Sequence, residues 1–226
     1  MAPLLLDCTG SGRLTEPWFQ AALAACGVQE MRTASPGDGT DALDGASALI
    51  ISGSPRDAFA KDDWTRAALE LTSAAISCGM PVFGVCYGHQ LLGRLAGARV
   101  ARNPLGWEVG ECVVQATDEP SPLGFEGGKR VLESYQDSVF DAPACTRILA
   151  TNEHSAVQAA EWAPGVYGVQ FHPEFTGPIL RGLWESRRDE WRGRTSFDLD
   201  AKLDAAQKCE DGLAVLRRFL EIIPRS

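Results

Sequence analysis

The sequence predicts an α/β fold: a three-layer sandwich with a mostly parallel central sheet and a smaller antiparallel extension. Three observations predict it. Short apolar runs alternate with longer helical patterns through the first half of the chain, as βαβ units winding into a parallel sheet require. The run Met80 to Val85 is apolar on both faces, as at the centre of such a sheet, and leads directly into a helical pattern. From Val109 to Val169 the pattern changes to strands broken by Pro and Gly turns.

In order along the chain, Pro3 to Cys8 reads as a strand and Glu16 to Cys26 as an alanine-rich helix closed by Gly27. Ala46 to Ser52 reads as a buried strand, and Asp63 to Cys78 as an N-capped helix stopped by Gly79. The strand Met80 to Val85 then enters a helix from Tyr87 to Leu95. The antiparallel extension is assigned to Glu111 to Ala116, Val131 to Ser134, Arg147 to Thr151, Ala156 to Glu161 and Val166 to Gln170. Two helical stretches, Pro178 to Trp191 and Leu199 to Ile222, pack back onto the sheet. Trp162, Trp184 and Trp191 are read as closing the core near the end of the chain rather than as an interface.

A chain of 226 residues supports one sizeable core, so residues 1–226 are read as one domain. With 45% hydrophobic and 23% charged residues the balance is globular, and no apolar run is long enough to span a membrane. A net charge of -9 repels a phosphate backbone, which excludes nucleic acid as a partner. The most basic stretch, Arg187, Arg188, Arg192 and Arg194, is interleaved with Asp189 and Glu190 and reads as the solvated face of a helix. Seven cysteines, at 8, 26, 78, 86, 112, 145 and 209, show no paired spacing, which argues against a disulfide framework or a zinc site and for a reducing cytoplasm.

The chemistry centres on Gly84-Val85-Cys86-Tyr87-Gly88-His89-Gln90. A cysteine between a buried strand and a helix start, with glycine two residues to either side, is the cysteine form of a nucleophile elbow. The tight turn imposes strained angles on the nucleophile, and only neighbours without bulk let the two chain segments cross. At the helix N-terminus, free N–H groups and the dipole favour thiolate over thiol.

A thiolate nucleophile also needs a base and a group that orients the base. Of the three histidines, His172 follows the apolar run Val166 to Phe171, at a strand end where α/β active sites form. Glu174, two residues on across Pro173, is placed to accept a hydrogen bond from the imidazole. Metal chemistry is not implied, because the histidines and carboxylates lack ligand spacing, and no cofactor is called for.

Gly-Val-Cys-Tyr-Gly-His-Gln and Gly-Val-Gln-Phe-His-Pro-Glu together resemble the two signatures of the class I, triad-type glutamine amidotransferases, over about residues 45 to 185. The resemblance implies a flavodoxin-like fold in which Cys86 attacks a glutamine γ-carbonyl and forms a γ-glutamyl thioester, with His172 as base and Glu174 as its orienter. It also implies backbone donors to the oxyanion at Gly53 and Tyr87, and glutamyl contacts from Gln90 and from the segment Ser134-Tyr135-Gln136-Asp137. Many members have a Ser-His-Gly-Asp type sequence at that segment. Here Tyr135 and Gln136 replace the histidine and glycine, leaving Ser134, Gln136 and Asp137 as the expected pocket residues.

The stretches Gly53 to Ala58 and Gly106 to Gly110 resemble stand-alone members similar to γ-glutamyl peptidases and GMP-synthase-like proteins. Three readings stay open: a glutaminase that passes ammonia to a separate synthetase subunit, a γ-glutamyl peptide hydrolase that needs no partner, and a catalytically silent protein of the same fold that senses a metabolite or binds a partner.

Overall fold

The computed structural model describes residues 1–10, 13–191, 197–206 and 210–224, with only the backbone for 190 and 191. Arg192, Arg194, Cys209 and the Trp191 side chain, all singled out from the sequence, lie outside the described residues. The first half of the chain lays down β1 (Leu4–Leu6), α1 (Glu16–Ala25), β2 (Arg32–Ala34), β3 (Leu49–Ile51), α2 (Asp63–Ser77), β4 (Val82–Val85) and α3 (Tyr87–Ala96). The second half adds β5 (Arg99–Arg102), β6 (Glu108–Ala116), β7 (Gly128–Tyr135), β8 (Asp137–Phe140), β9 (Arg147–Thr151), β10 (Ala159–Ala163) and β11 (Val166–Val169). The helices α4 (Gly177–Ser186), α5 (Arg188–Trp191), α6 (Leu199–Ala205) and α7 (Glu210–Ile222) follow.

One sheet carries the order β2-β1-β3-β4-β11-β10-β9-β6-β7, with a separate ribbon of β5 and β8. From β2 to β11 every pairing is parallel. From β11 to β7 every pairing is antiparallel. Four of the five strands assigned to the extension, β6, β7, β9 and β10, thus continue the same sheet in antiparallel fashion beside the ribbon, whereas Val166 to Gln170 is corrected to the last strand of the parallel part, β11 against β4.

Strand alternation explains the layers, because successive side chains leave opposite faces. Leu4, Leu6, Leu49 and Ile51 pack beneath α2 and α3 with Ala68, Leu71, Leu91 and Leu92. Leu5, Ile50, Phe83 and Val85 face the other way, against Phe19 and Leu23 of α1 and Val215, Leu216 and Phe219 of α7. A third cluster joins Val109 and Leu132 of the extension to Leu180 and Trp184 of α4 and Leu203 of α6. Burial of each large apolar side chain contributes roughly 1.5–3 kcal/mol.

Helix ends follow sequence chemistry. The Asp62 side chain accepts from Thr65 N at 2.7 Å to cap α2, and Gly79 beyond its other end takes φ 72°. Among the described residues no helix is long and apolar enough to cross a membrane.

Several expectations need correction. The stretch Leu199 to Ile222 is not one helix: α6 stops where Ala206 adopts extended angles (φ -69°, ψ 100°), and α7 begins at Glu210. Pro178 to Trp191 likewise divides at Arg187 into α4 and α5. The strands β2, β5 and β8 are not legible in the sequence, since runs of three or four residues, with exposed arginines in β2 and β5, carry too little alternation. Trp162 and Trp184 are buried in the core, as read.

Candidate active site

Strand order builds the site. Gly53, Cys86 and His172 follow β3, β4 and β11, three adjacent parallel strands, so all three residues emerge at one carboxyl edge. Cys86 is the N-cap of α3, with φ 50° and ψ -101°, a sparsely populated conformation for a side-chain-bearing residue, costing about 1–3 kcal/mol.

The glycines on either side make this turn possible. A Cβ on Gly84 would lie 2.6 Å from the Gly88 carbonyl, and one on Gly88 would lie 2.6 Å from the Ile51 carbonyl oxygen. Both neighbours are backbone and cannot move aside, so strand and helix cross only when both positions lack a side chain.

The Glu174 carboxylate holds the His172 imidazole. Its Nδ1 lies 2.8 Å from Glu174 Oε1, and the ring lines one cavity together with Cys86. With Nδ1 turned to the carboxylate, Nε2 is left for the sulfur. Phe175 stacks on the imidazole at 3.9 Å and 7°, and His172 N donates to Leu132 O at 2.9 Å, which fixes the ring from both ends. Burial opposes a charge on His172. The Glu174 carboxylate, with a smaller contribution from Cys86, outweighs it and raises the imidazole pKa to about 10.

Gly53 lies against this pair. A Cβ there would come 2.7 Å from His172 Cε1 and 3.6 Å from Cys86 Cβ. Tyr87 N, as the first N–H of α3, has no helical carbonyl to bond. The Tyr87 hydroxyl is anchored to Thr65 Oγ1 at 3.1 Å, well below the turn.

A polar cavity of about 240 Å³ opens beside Cys86, lined by Gln90, Arg102, Ser134, Gln136 and Asp137 among others. Gln90 Nε2 donates to the Asp137 carbonyl at 2.8 Å. Arg102 holds Asp137 at 2.9 Å and Asp57 at 3.1 Å. Burial pushes the Asp137 carboxyl up to about 6 against the pull of Arg102, and Asp57 adds to the rise.

Comparison with known proteins bears on this arrangement. The family model described as glutamine amidotransferase class-I matches residues 20–179. The chain belongs to that family. It is 31% identical to γ-glutamyl peptidase 5 of Arabidopsis thaliana over 144 residues, 61% of this chain and 57% of that protein. It is 39% identical to the glutamine-hydrolyzing GMP synthase of Thermus thermophilus over 128 residues, 56% of this chain and 24% of that protein. The chain thus covers less than two thirds of either relative. In fold it is similar to a glutamine amidotransferase of Thermotoga maritima (TM-score 0.77, 20% identity, covering 100% of this chain and 99% of that one). It is also similar to one of Methylobacillus flagellatus (TM-score 0.75, 19% identity, covering 100% and 96%).

Within this amidotransferase-family chain, every residue expected at the site from sequence lies around Cys86: His172, Glu174, Gly53, Tyr87, Gln90, Ser134, Gln136 and Asp137. Tyr135, in place of the usual histidine, turns its hydroxyl to Glu108 and Gln158. Arg187, read as part of a solvated face, instead lines the site. The residues that sequence reasoning missed are Arg102 and Glu133. Arg102 sits on the illegible strand β5, and the only available signal for it was the single acidic partner Asp57 in the loop after Gly53.

Glu133 is fully buried on β7, with neither carboxyl oxygen hydrogen-bonded among the described residues. Burial raises its pKa well above the glutamate range, Glu108 adds to the rise, His172 opposes it, and Cys86 adds again. A carboxyl protonated in the fold but ionised in the open chain loses stability as pH climbs past the ordinary glutamate value. Glu133→Met is therefore expected to stabilise the protein by about 1–3 kcal/mol near pH 8 and by less near pH 5, measured by denaturant unfolding at both. An equal effect at the two pH values would show that Glu133 is ionised in the fold.

Proposed function

We propose that this chain is a single catalytic domain that hydrolyses the γ-amide of glutamine or of a γ-glutamyl compound in the reducing cytoplasm, with Cys86 as nucleophile. The observation that carries the reading is a strained cysteine at a helix N-terminus, sharing a cavity wall with an imidazole that a buried glutamate holds. The Cys86 sulfur adds to the γ-carbonyl carbon, and the oxyanion is received by Gly53 N and Tyr87 N. The imidazolium of His172 protonates the leaving nitrogen as the C–N bond breaks, giving a γ-glutamyl thioester and a free amine. Water, deprotonated by His172, then attacks the thioester, and the C–S bond breaks to release glutamate.

The polar cavity suits the zwitterionic end of a glutamyl group, with Asp137 and Asp57 for its ammonium and Arg102 for its carboxylate, while Gln90, Ser134 and Gln136 bound the chain. Similarity to the Thermus GMP synthase over 24% of its length favours a second reading, in which the amine is ammonia passed to a separate synthetase subunit.

Acid quenching during turnover of glutamine or a γ-glutamyl peptide, followed by peptide mass mapping, is expected to find a γ-glutamyl adduct on Cys86. Hydrolysis with no adduct on Cys86 at any quench time, or an adduct on another cysteine, would overturn the assignment.

A further inference from the structure

We infer that the substrates of this chain are γ-glutamyl amides whose leaving amine carries an aromatic ring, received in an aromatic-walled chamber that meets the polar cavity at Cys86. The inference rests on the thioester chemistry proposed above and names the group that departs.

Two cavities meet at Cys86, and the residues around it divide between them. His172, which must hand a proton to the leaving nitrogen, lines a second cavity of about 300 Å³ and does not line the polar one. Gln90 and Asp137 line only the polar cavity. Ser54, Pro55, Cys86, Trp107, Ser134 and Arg187 line both. A scissile carbonyl at Cys86 with its glutamyl end in the polar cavity therefore directs its nitrogen toward His172, and whatever that nitrogen carries enters the second cavity.

The walls of that chamber are largely apolar. Trp18, Trp107, Phe175 and Trp184 line it with Leu14 and Leu183, while Thr9, Thr15, Ser186 and Arg187 add polar groups. The rings hold one another edge to face, Trp18 on Phe175 at 5.7 Å and Trp107 on Trp184 at 5.4 Å, and Trp184 Nε1 is tied to Ser134 Oγ at 2.9 Å. Such packing makes a preformed apolar slot with fixed geometry, the arrangement that receives another ring. Phe175 continues the wall onto the imidazole itself, so a ring seated against Phe175 and Trp18 lies next to the proton donor. Ammonia needs none of this. A water-sized molecule takes about 30 Å³, and an apolar lining only repels it.

The test compares kcat/KM of the purified full chain for glutamine, γ-glutamylmethylamide and γ-glutamylbenzylamide. Benzylamine is close to ammonia in basicity, so intrinsic leaving ability is matched and the ring is the variable. The benzylamide is expected to exceed the other two by about 10- to 100-fold, the effect of fully burying one aromatic side chain. Trp18→Ala and Leu183→Ala are each expected to lower the benzylamide-to-glutamine ratio several-fold. Leu183 is only half-buried on α4, so its variant remains a test if Trp18→Ala fails to fold.

Benzylamide turnover equal to or below that of glutamine overturns the inference while leaving the thioester chemistry standing. A preference for the benzylamide that neither variant changes overturns the placement of the ring. Failure to turn over any of the amides, with no adduct on Cys86, overturns the proposed function and this inference together.

Discussion

Cys86→Ser is expected to lower kcat/KM for γ-glutamyl amide hydrolysis at least about 10⁴-fold, with the melting temperature within a few degrees of the parent. The size of the loss follows from ionisation. The N-terminal N–H groups of α3 favour negative charge on the atom that position 86 presents, and sulfur carries such charge far more readily than a hydroxyl oxygen. A serine hydroxyl is far less acidic, and the same field leaves it protonated. Charge then no longer resides on the attacking atom. Serine is close enough in volume to keep the turn, whose shape is fixed by Gly84 and Gly88 rather than by the sulfur. Kinetics together with thermal unfolding would check this, and near-parental turnover by the serine protein would remove Cys86 from the reaction.

Glu174→Gln carries the second large effect, an expected loss of about 10²- to 10⁴-fold in kcat. A distinct signature in pH accompanies it. Burial alone would lower the His172 pKa, and Glu174 is the largest of the contributions that reverse this and bring it to about 10. The wild-type protein should therefore keep the proton that the leaving amine needs across the neutral range, with activity falling as pH rises through about 10. In the glutamine variant, burial dominates and the alkaline limb moves to lower pH.

Stability follows the same sign. A histidine whose folded pKa exceeds its ordinary value of 6.5 contributes fully below that value, and the contribution is lost as pH rises toward about 10. Wild-type unfolding free energy should accordingly fall over that window, and that of Glu174→Gln should fall less. A variant with reduced kcat but an unmoved alkaline limb would mean that Glu174 only fills space.

Parts of this site are specified by local sequence alone. Gly84-Val85-Cys86-Tyr87-Gly88 specifies its own geometry, because a buried strand, a turn that tolerates no Cβ at either glycine and a helix N-terminus are all local in sequence. The pair His172 and Glu174 is equally local, two residues apart across a proline. Arg102 and Glu133 were missed for the opposite reason. Each sits on a strand whose neighbours come from distant sequence, and a single charged residue in an extended segment does not disclose whether it faces water, a carboxylate or the core.

By itself, the sequence determined most of the alternation of strands and helices, the elbow around Cys86 and the position of His172 after a strand end. Only the tertiary structure decided that β4 lies between β3 and β11, which brings Gly53, Cys86 and His172 to one edge, and that two cavities of opposite character meet at the sulfur. The physical reason is range: torsional sterics and helix dipoles act within a few residues, whereas strand order and cavity walls arise from burying apolar surface between segments far apart in the chain.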